Sequence, residues 1–250
     1  MGTENAAIID EIKNRERLKR DEEADGYIDF VETVYGPYRS RAYTETIMHF
    51  LRPAQDQVWL DAGAGVGRLS LQMAPRVGQL VCIDHSEASL RVLRGNADVQ
   101  HLDNIETIIS DVCGYEGASN RFDGILCNEV LQHIPSRAER LKAVANLYRM
   151  LKPGGVCLIN VISWNGAVGE EKEGYWGRGQ EIYRNYFTRD ELRSLMTDGG
   201  FKRPLIKGLD ILPRRLTNVL PLQTTFLETW CSRMPGSAGR GKNLLAIGTK

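Results

Sequence analysis

Three glycines alternate with other residues directly after an apolar run in the stretch VWLDAGAGVGRLS, residues 58–70. Gly63, Gly65 and Gly67 allow a chain to turn sharply off a strand, and their missing side chains admit a ligand against the backbone. A helix that follows such a loop offers free N–H groups and the positive end of its dipole. The stretch therefore predicts a ligand-binding turn between a strand and a helix, and the chemistry of the ligand is the next question.

Asp61, two residues before the first glycine, bears on that question. Dinucleotide-binding turns have the spacing G-x-G-x-x-G, whereas this one has G-x-G-x-G. A carboxylate beside a pyrophosphate would place two negative groups in one small pocket, but it suits a ligand that carries an ammonium group. The alternative interpretation is a turn or N-cap acid that satisfies loop amides.

Further acids and amides stand where the next predicted strands end. Asp84 ends the second strand, where an acid commonly accepts both hydroxyls of a ribose; capping of the following helix is the alternative. Asp111 follows the third strand and is expected at an adenine amino group, with the Val112 backbone beside it; a turn acid is the alternative. Asn128 ends the fourth. Ligands of such sheets bind outside the carboxyl ends of the strands, which is where these side chains fall.

Only a parallel sheet would bring these residues together, and the hydrophobic pattern predicts one. From residue 57 to residue 162 short apolar runs alternate with amphipathic stretches, which indicates an α/β sheet with helices on both faces. Residues 1–52 are predicted to be an N-terminal helical cap, whose charged first half forms an arm that packs lightly on the domain. Residues 53–250 form the main domain, with expected substrate-site insertions at 164–187 and 211–242.

Composition excludes several classes of function. Lysine plus arginine equals aspartate plus glutamate at 32 each, so no global basic field attracts nucleic acid. No apolar run approaches the ~20 residues of a membrane span. The five cysteines lack metal-ligand spacing and the histidines form no cluster with carboxylates, so no metal site is expected. Dispersed cysteines and the absence of an export signal favour the reducing cytoplasm.

The ordered motifs VWLDAGAGVGRLS, VCIDHS, ISDV, FDGILCNEVLQHIP and LKPGGVCLI resemble those of class I S-adenosylmethionine-dependent methyltransferases. The group that they resemble is the type 11, or UbiE-like, small-molecule methyltransferases. The resemblance covers roughly residues 57–162. It implies a Rossmann-like seven-stranded mixed sheet with helices on both faces, whose last strand, Leu244–Thr249, is antiparallel and forms a hairpin with a strand near Leu205. It also implies S-adenosyl-L-methionine as cofactor.

The same resemblance assigns roles to individual residues. Asp61 and the glycine loop would face the methionine end of the cofactor, and Asn128 would lie near its sulfonium. The string DAGAGVGR also resembles protein α-N-terminal methyltransferases, in which the arginine pairs with the cofactor carboxylate. The residues implied or expected to bind the cofactor are Arg41, Asp61, Gly63, Gly65, Gly67, Arg68, Asp84, His85, Asp111, Val112 and Asn128.

The resulting prediction is an enzyme that transfers a methyl group to an oxygen or nitrogen atom of a small organic acceptor. His133 is the candidate general base, with a structural histidine as the alternative. Trp164, Tyr175 and Trp176 are candidate substrate contacts, with loop packing as the alternative. Two other functions stay open: a protein α-N-terminal methyltransferase, and an NAD(P)-dependent reductase, which should show G-x-G-x-x-G and a hydride-transfer pair. The acceptor and the oligomeric state stay undetermined.

Overall fold

A seven-stranded sheet in the order β3-β2-β1-β4-β5-β9-β8 forms the centre of the computed structural model, which describes residues 2–164, 172–176 and 182–250. Strands β1 to β5 are parallel, and β9 lies antiparallel between β5 and β8. The strands are β1 Val58–Ala62, β2 Gln79–Asp84, β3 Ile105–Ile109, β4 Phe122–Asn128, β5 Leu151–Ile162, β8 Leu205–Leu209 and β9 Asn243–Thr249. The predicted mixed sheet, its antiparallel last strand and the hairpin partner near Leu205 are confirmed.

Helices cover both faces of this sheet. They are α1 Gly2–Glu23, α2 Tyr27–Leu51, α3 Ser70–Met73, α4 Glu87–Val99, α5 Arg137–Met150, α6 Arg189–Asp198, α7 Arg214–Thr217 and α8 Phe226–Arg233. Successive strand residues point to opposite faces, so Trp59 packs with α2 and α4 while Leu60 packs with α5 and α6. Each face therefore has its own apolar cluster, and the two clusters fix the strand ends from both sides.

Local signals explain where the helices that flank the site begin. The Ser86 hydroxyl accepts a hydrogen bond from the Ser89 amide at 3.0 Å and caps α4. Thr188 and Glu191 form a reciprocal capping box at the start of α6. The neighbours of β1 are β2 on one side and β4 on the other, so the chain order reverses there. This reversal is the switch point at which an α/β sheet opens a cleft.

The two predicted insertions contain regular structure. In the described part of 164–187, strands β6 Glu173–Trp176 and β7 Ile182–Asn185 form an antiparallel hairpin outside the main sheet. The segment 211–242 contains α7 and α8, and it packs on α2 through a Thr46–Thr229 hydroxyl contact of 2.8 Å. Helix α2 is kinked at Gly36, whose φ of 73° is not helical and which directly precedes Pro37.

Candidate functional site

The glycine loop turns off β1 in a conformation that only glycine adopts readily, because Gly63, Gly65 and Gly67 all have positive φ. A Cβ atom on Gly63 would lie 2.1 Å from Val130 Cγ2, and one on Gly67 would lie 2.6 Å from Leu93 Cγ. A Cβ atom on Gly65 would meet nothing within 4 Å. Two of the glycines therefore make room for the protein's own side chains, and of the three only Gly65 would direct an added Cβ into open space.

A cavity with an empty volume of about 1190 Å³, its open mouth included, lies at the carboxyl ends of β1, β2 and β4 and beside the loop after β3. Ten of the predicted residues line it: Asp61, Gly63, Gly65, Arg68, Asp84, His85, Asp111, Val112, Asn128 and His133. Strands that are distant in sequence thus bring the predicted set to one place.

Asp84 connects the glycine loop to the second strand. Its Oδ2 accepts a hydrogen bond from the Gly65 amide at 2.8 Å, and its Oδ1 accepts one from the Ser86 amide at 2.9 Å. The helix cap itself is the Ser86 hydroxyl, so Asp84 fixes the loop rather than capping α4. Each carboxylate oxygen keeps a second lone pair, which leaves Asp84 able to accept hydrogen bonds from a bound ligand.

Asp61 is a buried carboxylate beneath the loop. It accepts a hydrogen bond from the Ser70 hydroxyl at 2.6 Å. Burial raises the pKa of Asp61 to about 7 from an ordinary 3.8, and the negative charge of Asp84 adds to the shift. A ligand with a positive charge at this position would restore the ionised form, so Asp61 suits an ammonium group.

Arg68 supplies the opposite charge on the same wall. Its guanidinium lies 4.6 Å above the centre of the Tyr43 ring, and within the described ranges it has no hydrogen-bond acceptor. Its N–H donors are thus available to a carboxylate. Asp61 and Arg68 together complement the ammonium and carboxylate groups of an amino-acid moiety.

The end of β4 is held by a polar network under Arg68. The Tyr43 hydroxyl lies 2.8 Å from both Asn128 Oδ1 and Glu129 Oε1. Asn160 Nδ2 donates to Asn128 Oδ1 at 2.8 Å. Glu129 has a φ of 58°, which is costly for a residue with a side chain. The network therefore fixes Asn128 and Glu129 in place at the cavity wall.

Helix α1 lies across the cavity mouth and is attached at two points. Lys13 Nζ lies 2.8 Å from Asp111 Oδ2 and 3.1 Å from Glu139 Oε2. Asp21 Oδ1 accepts a hydrogen bond from the Ser86 hydroxyl at 2.7 Å. The prediction of a lightly packed arm is wrong, because ion pairs to the loop after β3 and to α5, and a hydrogen bond to the cap of α4, hold this helix against the domain.

Two side chains of α1, Glu16 and Arg20, meet His133 at the cavity wall. His133 Nδ1 donates to the Tyr183 carbonyl at 2.9 Å, and burial lowers the pKa of His133 to about 4, so the imidazole is neutral. Its Nε2 faces an Arg20 N–H at 3.4 Å. Glu16 Oε1 accepts from Arg20 Nε at 2.8 Å, whereas Glu16 Oε2 is buried without a partner in the described part of the chain. An unsatisfied buried carboxylate oxygen is suited to an N–H or O–H donor from a ligand.

Four predicted residues, Arg41, Gly67, Trp164 and Tyr175, are not among the described residues that line the cavity. Gly67 contacts Leu93 instead. Arg41 is exposed on α2 and pairs with Glu45 at 2.7 Å. Trp164 packs on Tyr186, and Tyr175 packs on Tyr183 and under the Arg15 guanidinium. Trp176 lies in β6, and its side chain falls outside the described residues.

Sequence reasoning missed the cavity residues that α1 and its neighbours supply. The principal ones are Lys13, Glu16 and Arg20. Spacings of three and four residues place these three side chains on one face of a helix, and this was the signal that the sequence contained.

The sequence profile described as a methyltransferase domain matches residues 60–155. A ubiquinone biosynthesis O-methyltransferase from Psychrobacter arcticus is 30% identical over 169 residues, which are 62% of this chain and 62% of that protein. The corresponding protein from Parvibaculum lavamentivorans is 29% identical over 170 residues, 65% of this chain and 66% of that protein. The chain thus spans about three fifths to two thirds of the length of these relatives. These similarities indicate a class I S-adenosylmethionine-dependent methyltransferase, with residues 60–155 resembling its methyltransferase domain.

Solved methyltransferase structures share the fold. A possible histamine N-methyltransferase from Thermotoga maritima superposes with a TM-score of 0.65 at 16% identity, covering 92% of this chain and 97% of that one. The 1,6-didemethyltoxoflavin-N1-methyltransferase of Burkholderia thailandensis, with bound S-adenosylhomocysteine, gives 0.61 at 20% identity over 93% and 87%. The methyltransferase cofactor, S-adenosylmethionine, fits the cavity because its amino-acid end is a zwitterion, which Asp61 and Arg68 complement. No group of three or more metal-ligating side chains occurs among the described residues.

Proposed function

We propose that this methyltransferase transfers the methyl group to an oxygen or nitrogen atom of a small organic acceptor bound beneath α1. The observation that carries the proposal is that one cavity contains both the strand-end residues and charged side chains of α1. The strand ends and the glycine loop suit the cofactor, and Glu16, Arg20, Tyr27, Glu129 and His133 surround further space beside it. The names of the relatives, which methylate oxygen in one group and nitrogen in another, support both acceptor atoms.

The proposed roles of the cofactor-binding residues follow from the contacts. Asp61 takes the ammonium, Arg68 takes the carboxylate, and Asp84 accepts hydrogen bonds from ribose hydroxyls, with His85 beside it. Asp111 and Val112 bound the adenine position, although Lys13 already occupies one side of Asp111 Oδ2. Gly63 and Gly65 form the floor, and Asn128 lies beside the reacting centre. S-adenosylmethionine supplies an electrophilic methyl group when bound.

The protein's part in the reaction is mainly positional. Holding the acceptor atom in line with the methyl group at near-attack distance supplies most of the acceleration. Helix α1 excludes water from the cavity because Lys13 and Asp21 hold it across the mouth. A base is needed before the attack only when the acceptor is a protonated amine or a hydroxyl that is not ionised at working pH. An amine that is already neutral, or an acidic hydroxyl, therefore requires no strong base.

His133 is proposed to orient the acceptor rather than to deprotonate it. An imidazole with a pKa of about 4 is a weak base at neutral pH. Its Nδ1 proton is donated to the Tyr183 carbonyl, which leaves Nε2 as a hydrogen-bond acceptor next to Arg20. Glu16 Oε2 is a second acceptor in the same place. A hydroxyl or amine on the acceptor molecule is the complement to both.

The two alternative functions are not favoured. A reductase would need a dinucleotide spacing that the glycine loop lacks, and residues 60–155 resemble a methyltransferase domain. A protein α-amino group would have to enter as an extended chain, whereas α1 is bonded across the mouth on both sides. The proposed compartment is the reducing cytoplasm, in agreement with five cysteines that are all free thiols.

The proposal is tested by incubating the purified protein with methyl-labelled S-adenosylmethionine and a panel of phenols, alkyl amines and sugar hydroxyls. We expect label in at least one small molecule, and Glu16→Gln should slow that transfer without weakening binding of S-adenosylhomocysteine. Glu11→Gln is the matched control, because Glu11 lies on the same helix in an exposed pair with Arg15. Label in short peptides with a free α-amino group, and in none of the small molecules, would overturn the proposal in favour of protein methylation.

A further inference from the structure

Helix α8 is amphipathic in the reverse of the usual sense. Its polar residues Glu228 and Ser232 are buried against the domain, while Phe226 and Trp230 are 61% and 57% exposed. A surface helix normally buries its apolar side and exposes its polar side. The outward apolar side of α8 therefore needs an explanation other than packing within this chain.

Hydrogen bonds fix the orientation of this helix. Both carboxylate oxygens of Glu228 accept backbone N–H groups, from Ile211 at 2.7 Å and from Leu212 at 3.0 Å. The Thr225 hydroxyl, directly before the helix, donates to Glu45 at 2.5 Å. Rotating α8 to bury its aromatic residues would break these bonds and leave a carboxylate unpaired, so Phe226 and Trp230 stay outside.

The exposed apolar residues of the molecule are concentrated in this segment. Of thirteen large hydrophobic side chains that are exposed in the described ranges, five lie between residues 216 and 230. We refer to these five as the α7–α8 face: Leu216, Val219, Leu222, Phe226 and Trp230. Exposed apolar groups concentrated in this way mark contact surfaces in globular proteins. None of the five lines the cavity, so the prediction that 211–242 is a substrate-site insertion is not supported by its placement.

Charge is unevenly distributed around the same face. The segment 211–242 contains five basic residues and one acid, Glu228, whereas the whole chain is neutral. Because Glu228 is buried and bonded, the exposed charges of this segment are all positive, and Arg214, Arg215 and Arg233 are among them. A face that is both apolar and cationic complements a surface that has an anionic outer layer over an apolar interior.

We propose that the α7–α8 face binds the surface of an anionic lipid bilayer, with Phe226 and Trp230 at the headgroup boundary and the arginines on lipid phosphates. Aromatic side chains favour this boundary, and nearby basic residues strengthen the attachment. No helix in the described ranges is long and apolar enough to cross a bilayer, so the contact is peripheral. A symmetric contact between two copies is disfavoured, since the exposed charges of this segment are all positive and a second copy of it offers no anionic partner.

Sedimentation with vesicles tests the proposal, independently of methyl transfer. We expect the wild type to sediment with phosphatidylcholine vesicles that contain about one third phosphatidylglycerol, and binding should fall at least about tenfold in Phe226→Ser with Trp230→Ser. Val99→Ser is the matched control, because Val99 is 79% exposed on α4. Replacing Arg215 and Arg233 by Gln should weaken binding by about fivefold for each residue, and Lys202→Gln should not.

Retained binding of S-adenosylhomocysteine shows that each variant is folded. The proposal is overturned if the wild type stays in the supernatant with anionic vesicles, or if the Ser variant sediments as the wild type does. Sedimentation equilibrium of the protein without vesicles then tests whether a second copy of this chain binds the α7–α8 face instead of a bilayer. Self-association that the Ser variant abolishes would assign the α7–α8 face to a second copy of this chain, and lack of both lipid binding and self-association would leave a protein partner.

Discussion

Replacing Asp61 by asparagine is expected to make the stability of the free protein less sensitive to pH between pH 5 and pH 8. The pKa of Asp61 is about 7 in the folded chain, against an ordinary 3.8. Between these two values the folded chain binds a proton that the unfolded chain has released, so rising pH lowers the free energy of unfolding. Each unit of rising pH in that window lowers the free energy of unfolding by about 1.4 kcal/mol. From pH 5 to pH 8 the wild type should therefore lose about 3 kcal/mol through this one residue.

Asparagine has no such titration, so the stability of the variant relative to wild type should rise by the same amount over this interval. Any fixed cost of the amide, such as an unsatisfied N–H beside Ser70, is equal at both pH values and cancels. The assay is thermal unfolding at pH 5 and pH 8, in which the relative melting temperature should change by about 9 °C for a chain of this length. Asp56→Asn, at an exposed position, is the control. An advantage that is the same at both pH values would refute the raised pKa and its cause.

The remaining predictions concern the same cavity. Binding of S-adenosylhomocysteine to the wild type should weaken about tenfold between pH 8 and pH 6, because ionised Asp61 becomes the minor form; calorimetry that shows pH-independent affinity would contradict this. Lys13→Ala should speed dissociation of S-adenosylhomocysteine about tenfold by releasing α1, whereas Lys142→Ala should not; equal rates in stopped-flow measurements would show that α1 does not retain the ligand. Gly65→Ala should weaken ligand binding because its Cβ enters open cavity space, and its φ of 54° should lower the melting temperature by less than the clash at Gly67 does. Gly67→Ala should lower the melting temperature more, because its Cβ meets Leu93; the reverse order in the two assays would contradict the assignment of these glycines.

The fold and the strand-end residues could be predicted from sequence because their signals are local. Apolar runs of strand length separated by amphipathic stretches predict a parallel sheet, and a parallel sheet brings its carboxyl ends to one edge. Asp61, Asp84, Asp111 and Asn128 each stand at such an end, so their meeting in one cavity required no knowledge of side-chain direction. His133 also lines this cavity.

The errors concern residues whose direction depends on tertiary packing. Arg41 and Glu45 lie one helical turn apart on the surface of α2 and form an ion pair. Arg41 therefore does not line the cavity, although in the sequence it stands close to residues that do. Trp164 and Tyr175 lie in a segment whose hairpin turns them onto neighbouring aromatic rings. Glu16 and Arg20 could not be assigned because a charged helix pattern does not show which loop the helix lies against. The apolar outer side of α8 could not be predicted from the sequence for the same reason.

Calorimetric titration with S-adenosylhomocysteine tests the central claim, that the strand-end cavity is the cofactor site, most directly. The wild type and Arg68→Gln are compared, with Arg94→Gln on α4 as the control and NAD as the competing ligand. We expect micromolar affinity for the wild type and for Arg94→Gln, a loss of about a hundredfold in Arg68→Gln because the ligand carboxylate loses its charged partner, and no binding of NAD. Binding of NAD in place of S-adenosylhomocysteine, or equal affinity of Arg68→Gln and wild type, would contradict the assignment.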